Sequence, residues 1–128
     1  MAFKRFTAAL AAGLMAGALG GTAAAEPEIF QVRTTADLIA LCSVPENHAD
    51  YVAAIHFCHG FAVGAYQYYW VLAGGEGGVR LVCLPDPPPA RDAVIEDFVR
   101  WAQARPEYHD EAPVESIMRY LIGQYPCR

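Results

Sequence analysis

The sequence predicts an all-α domain of four helices, and three observations carry that reading. Val94, Ile95, Phe98, Val99, Trp101 and Ala102 form one apolar stripe, and Val114, Ile117, Met118, Leu121, Ile122 and Tyr125 form another, both at the three- and four-residue intervals of a helix face. A third stretch, from about residue 50 to Ala73, is apolar nearly all round and stops at Gly74-Gly75-Glu76-Gly77-Gly78, where a helix cannot continue. No segment makes a convincing strand, and no internal repeat interrupts the pattern.

The amino terminus reads as an export signal. Lys4 and Arg5 precede a run of small and apolar residues from Ala8 to Ala25 that contains no acid and closes on Ala23-Ala24-Ala25. That is the charge, apolar middle and small-residue cleavage site of a secretory signal. The run is too glycine-rich and too short in leucine for the roughly 20 strongly apolar residues of a spanning helix. Residues 1–25 are therefore expected to be removed before Glu26, leaving residues 26–34 as an extended or disordered arm that contributes little to the core, and 35–128 as the helical domain.

Within that domain Thr35 is placed to cap a first short helix over Ala36–Cys42, with Asp37 in its first turn. Ser43-Val44-Pro45-Glu46-Asn47 breaks it, and a second helix, the longest and the expected centre of the fold, starts near Asn47–Asp50. The glycine segment after it follows a helix and does not join a strand to one, so a turn explains it better than a phosphate cradle. That turn lets Val79–Cys83 return along the long helix. Pro85-Asp86-Pro87-Pro88-Pro89 is stiff and launches the third helix at Ala90, which Arg105-Pro106 ends. Pro113 opens the fourth, and Gly123 and Pro126 close it.

Composition narrows the function. Loss of the signal leaves seven basic residues against fourteen acidic ones, a net charge of −7 with histidines neutral, which disfavours nucleic acid and anionic lipid and suits a basic protein partner. Cys42, Cys58, Cys83 and Cys127 remain. In an exported domain of this size they read as two disulfides, with three pairings open. A metal site built on Cys58, His56 and His59 is the rival. The histidines lie three apart, but Cys58 points away from them on a helix, and no second cluster completes a coordination sphere. No cofactor or metal is expected.

Catalytic machinery is not legible either. There is no nucleophile elbow and no His-Glu-x-x-His, and serine after residue 25 occurs only at Ser43 and Ser116. His48, His56, His59 and His109 lack an evident orienting partner, and Glu96 and Arg100 have the spacing of a solvated ion pair. Tyr66, Tyr68, Tyr69 and Trp70 cannot all point one way, so some belong to the core and one or two should reach the edge of the domain or a dimer surface.

Cys42, the Phe57-Cys58-His59-Gly60-Phe61 block with Gly64 after it, Val82-Cys83-Leu84-Pro85, Arg105-Pro106 and Tyr125-Pro126-Cys127 together resemble the Tai/Rap family of type VI secretion amidase immunity proteins. The resemblance covers nearly all of the chain after the signal. It implies a small helical periplasmic protein, commonly a homodimer and not an enzyme, that blocks a peptidoglycan-cleaving amidase toxin by filling its cleft with a loop. The family is in turn distantly similar to HdeA-type chaperones, which implies a pairing of Cys58 with Cys83 and leaves Cys42 with Cys127. It also supplies an alternative role, a general periplasmic chaperone or binding module. The loop expected to meet a toxin is Gly74–Arg80, with Gly75, Glu76, Gly77 and Arg80 beside Tyr69 and Trp70. Glu107–Ala112, with Tyr108 and Asp110, is the second candidate.

Overall fold

The structure is a computed structural model that describes residues 28–128. The expected signal peptide and its cleavage point lie outside the described residues. The described residues form four α-helices: α1 (Thr35–Cys42), α2 (Tyr51–Gly74), α3 (Arg91–Gln103) and α4 (Pro113–Gln124). Single 3-10 turns at Glu28–Phe30 and Pro106–Tyr108 precede α1 and α4. Among the described residues the only pairing of β type is an isolated antiparallel bridge between Val82 and Pro126.

The first helix starts one residue earlier than the sequence suggested. Thr34, not Thr35, is the cap, because Asp37 then falls at the third helical position and the pair bonds reciprocally. The Asp37 amide donates to the Thr34 hydroxyl at 3.2 Å, and the Thr34 amide donates to the Asp37 carboxylate at 2.9 Å. Thr35 is released for the core, where its hydroxyl lies 2.6 Å from the Ser116 hydroxyl and both side chains are fully buried.

The centre of the fold is α1 and not the long helix. It packs against α2, α3 and α4, and Leu38 and Leu41 are fully buried beside Ile39. By contrast, α2 buries only Ala54, Cys58, Ala65 and Ala73. Length explains the difference: 24 residues of α2 extend about 36 Å at about 1.5 Å per residue. Helices of 8, 13 and 12 residues cannot cover all sides of such a rod. The third and fourth helices follow their predicted stripes, with Ile95, Phe98 and Ala102 buried on α3 and Ile117, Tyr120 and Leu121 on α4. Val114 faces outward, because the buried face of α4 runs through Pro113 and Ser116 instead.

The segment before α1 also contributes more than expected. Ile29, Phe30 and Val32 pack on the core, and the Phe30 ring meets Phe57 of α2 at a centroid distance of 6.0 Å.

The two disulfides join Cys42 to Cys58 and Cys83 to Cys127, which corrects the pairing implied by the chaperone resemblance. Cys42 ends α1 and faces the inner side of α2, where Cys58 is fully buried. The Val82–Pro126 bridge brings the other two together. The Cys83 amide donates to the Tyr125 carbonyl at 2.8 Å, and the Cys127 amide donates to the Leu81 carbonyl at 3.2 Å. The chain end is thus clasped to the segment after α2, and the start of α2 to the end of α1.

Two outcomes follow from this arrangement. The backbone amides of Arg33 and Thr34, donating to Asp37, hold its carboxyl below the usual carboxylate value. A depressed native value contributes stability above the unfolded carboxylate range and loses it as pH falls through the native value. Thr34→Ala should lower unfolding free energy by about 1 kcal/mol in urea titrations, and Asp37→Asn should flatten the acid limb of stability against pH. In a chain-entropy account the Cys83–Cys127 link, spanning 44 residues, contributes about 4 kcal/mol and the link spanning 16 about 3 kcal/mol. Because Cys83 is exposed and Cys58 is not, graded reductant with mass-resolved alkylation should label Cys83 and Cys127 first.

Candidate partner-binding surface

The last turns of α2 and the segment after them form the most elaborate exposed surface. Trp70 is 44% exposed and the Arg80 guanidinium sits 4.5 Å above its ring, a cation–π contact. Tyr66 supports the pair from one turn earlier, its ring 6.3 Å from Trp70 and 6.1 Å from Tyr69. Burial first of all raises the Tyr66 phenol above its ordinary value, so it stays a neutral hydroxyl.

Tyr69 has a different task from the docking role expected of it. Its phenol oxygen accepts the backbone amides of Leu81 and Val82 at 2.7 and 2.9 Å, tying the returning segment to α2. This is how Val79–Cys83 comes back along the long helix.

The glycines between are a compact turn. Gly75 donates to the Leu72 carbonyl at 3.3 Å and Gly78 to the Gly75 carbonyl at 3.0 Å, so the chain folds over the end of α2 and satisfies part of its free carbonyl set. Gly77 has φ +75°, a left-handed conformation that favours glycine. A Cβ at Gly78 would collide with the Leu72 and Ala73 carbonyls. Glu76 projects from this turn into solvent. Tyr69, Trp70, Gly75, Glu76, Gly77 and Arg80 therefore belong to one structural unit.

Tyr108 and Asp110 belong to another. Tyr108 stacks on Trp101 of α3 at 5.6 Å with 18° between the planes, while Arg105 covers Trp101 at 4.6 Å and Arg119 covers Tyr108 at 5.1 Å. Arg119 makes a two-pronged pair with Glu111 at 3.0 and 3.2 Å, and the pairing raises its already high pKa. Asp110 stands exposed beside this stack. The layered Arg105, Trp101 and Tyr108 went unread in the sequence, although Trp101 and Arg105 have the i, i+4 spacing of helical neighbours.

Most of the remaining polar candidates are engaged within the fold. His109 Nε2 lies 3.1 Å from the Ala102 carbonyl, which can only accept, so that nitrogen carries the proton. His59 turns to Asp92 at 3.7 Å, whereas His56 is exposed, so the two histidines do not converge. Cys58 is committed to its disulfide, and no group of three His, Cys, Asp or Glu side chains among the described residues is arranged to hold a metal. Arg100 pairs with Asp97 and not with Glu96, the i+3 neighbour lying as near as the i+4 one. Tyr120 is buried with its hydroxyl unpartnered, and burial is the leading reason its phenol is pushed up to about 12.

Two clefts remain. One, of about 400 Å³ between α2 and α3, has mixed walls that include Tyr51, His59, Asp92 and Glu96. The other, of about 310 Å³, is apolar and lies among α2, α3 and α4 around Tyr66, Leu84, Phe98 and Ile117. Neither gathers a nucleophile with a base.

A small helical domain held by two disulfides, with Tyr68 and Trp70 exposed on its long helix, has the build of a protein-binding module. The family model of Rap1a immunity proteins matches residues 34–127, from the cap of α1 to the final cysteine, and the chain belongs to that family. No curated protein and no solved structure matches it.

The geometry of the returning segment yields its own test. Tyr69→Phe removes the acceptor shared by two backbone amides and should destabilise the domain by about 1 kcal/mol. Hydrogen exchange should accelerate at Leu81 and Val82 while the amides of α1 keep their protection.

Proposed function

We propose that this chain is a periplasmic immunity protein that acts as a homodimer and occludes the cleft of a peptidoglycan-cleaving amidase toxin delivered by a type VI secretion system. The carrying observation is the match to the immunity family across the entire helical domain. Two disulfides in so small a domain suit the oxidising periplasm, and residues 1–25 would direct export and be cleaved. The mature chain then begins with the arm at residues 26–34, followed by the immunity domain at 35–128.

Occlusion asks no chemistry of this protein. Trp70 and Arg80, presented on the turn that carries Gly75, Glu76 and Gly77, are the proposed toxin contacts, with Tyr69 holding that turn in place. An aromatic ring capped by arginine suits the centre of an interface, and Glu76 with the acidic surface suits a basic rim around the toxin cleft. Tyr108 and Asp110 form the proposed second contact. The uncharged outer side of α2 favours a second reading, a chaperone of the HdeA type that binds many unfolded clients on that face.

The deciding experiment expresses the full chain with a periplasm-directed amidase encoded beside its gene. Survival of the cells and a tight complex of the purified pair are expected. The Trp70→Ala and Arg80→Ala variants should each weaken that complex by roughly 30-fold or more if they are hot spots. Lysis despite normal export would sink the immunity reading, and acid-triggered protection of unrelated clients without any amidase complex would establish the chaperone.

A further inference from the structure

We infer that the apolar cleft among α2, α3 and α4 binds a small carboxylic acid with an apolar body, its carboxylate held at Arg91. None of the proposed toxin contacts lines this cleft, so the site goes beyond the immunity role. Val63 and Tyr66 of α2, Val94 and Phe98 of α3, and Ile117 and Leu121 of α4 form its walls. Phe98, Ile117 and Leu121 are themselves core side chains, so the cleft reaches into the centre of the domain and is not a shallow surface furrow.

Size and lining set the body of the ligand. Protein interiors leave few voids larger than a water molecule, whereas this cleft measures about 310 Å³, twice the roughly 150 Å³ that takes up benzene. An aromatic ring with a short chain fills such a space, and removal of its apolar surface from water drives entry. A mostly apolar wall with one or two polar groups is the general build of a small-molecule site.

Charge selects the head group. Arg91 is the only charged residue lining the cleft, in a chain that carries −7 after the signal. It makes no ion pair among the described residues. The acids that follow it on α3 are turned elsewhere, Asp92 and Glu96 to the mixed cleft between α2 and α3 and Asp97 to Arg100. Arg91 is also the first residue of α3, where a cation works against the helix dipole, so helix stability does not account for it. A carboxylate in the cleft supplies the missing partner, in the two-pronged geometry that a guanidinium offers. An alcohol on the same body would leave the guanidinium without a counter-charge, and an amine would meet a like charge.

Titration of the exported full chain with phenylpropanoate, phenylpropanol and phenylpropylamine, followed by NMR, tests the assignment. The acid should shift the amides of Val94, Phe98 and Ile117, the alcohol should bind roughly 10-fold or more weakly, and the amine more weakly still. Arg91→Gln should lower the affinity for the acid to that for the alcohol and leave the alcohol unchanged, a split that general loss of structure would not produce. Absence of shifts at those amides with the acid at millimolar concentration overturns the inference. Equal binding of the three probes, or a persistent preference for the acid in Arg91→Gln, overturns it as well. Toxin neutralisation uses other residues, so each of these results is distinct from failure of the immunity reading.

Discussion

The first amides of α1 have no acceptors within their own helix, and the fold is organised around where they go. Those of Thr35 and Ala36 donate to the carbonyls of Glu111 and His109 at 2.9 and 3.0 Å, while the Thr35 hydroxyl reaches Ser116. These bonds fasten the start of α1 to the loop that enters α4. Cys42 fastens its other end to α2. With both ends held, Leu38 and Leu41 bring the remaining helices to one centre, and an eight-residue helix too short to be stable alone becomes the hub of the domain.

That arrangement has a consequence for the long helix. Because the core gathers on a short hub, one side of α2 stays uncovered by its neighbours, and its far end carries the Trp70 and Arg80 pair into solvent. The Tyr69 hydroxyl and the Cys83–Cys127 link then hold the returning chain against that end. Exposed apolar surface in a small acidic domain is costly to keep in water, and its retention on one helix agrees with a protein whose work is done by contact.

Much of this was legible in the residues. The stripes on α3 and α4 are ordinary amphipathic periodicity, and the proline and glycine stops held to within about two residues. The reading failed where partners distant in sequence decide. Thr35 looked like a cap, whereas its hydroxyl is taken up in the core by Ser116, 81 residues further along the chain. The cysteine pairing implied by a distant chaperone likeness was wrong, since proximity of Cys83 to Cys127 is created by a bridge between segments more than forty residues apart. Tyr69 looked like a docking group until its two backbone donors came into view.

Sequence alone determined the helical class, the number of helices, the acidic charge and the family, because these depend on local periodicity, composition and motifs within short spans. Tertiary structure decided which helix is central, which cysteines join and which aromatic rings remain free. The physical reason is that burial is shared among elements: whether a side chain on α2 is core or surface depends on how far α1, α3 and α4 reach along it, and no property of α2's own sequence contains that length.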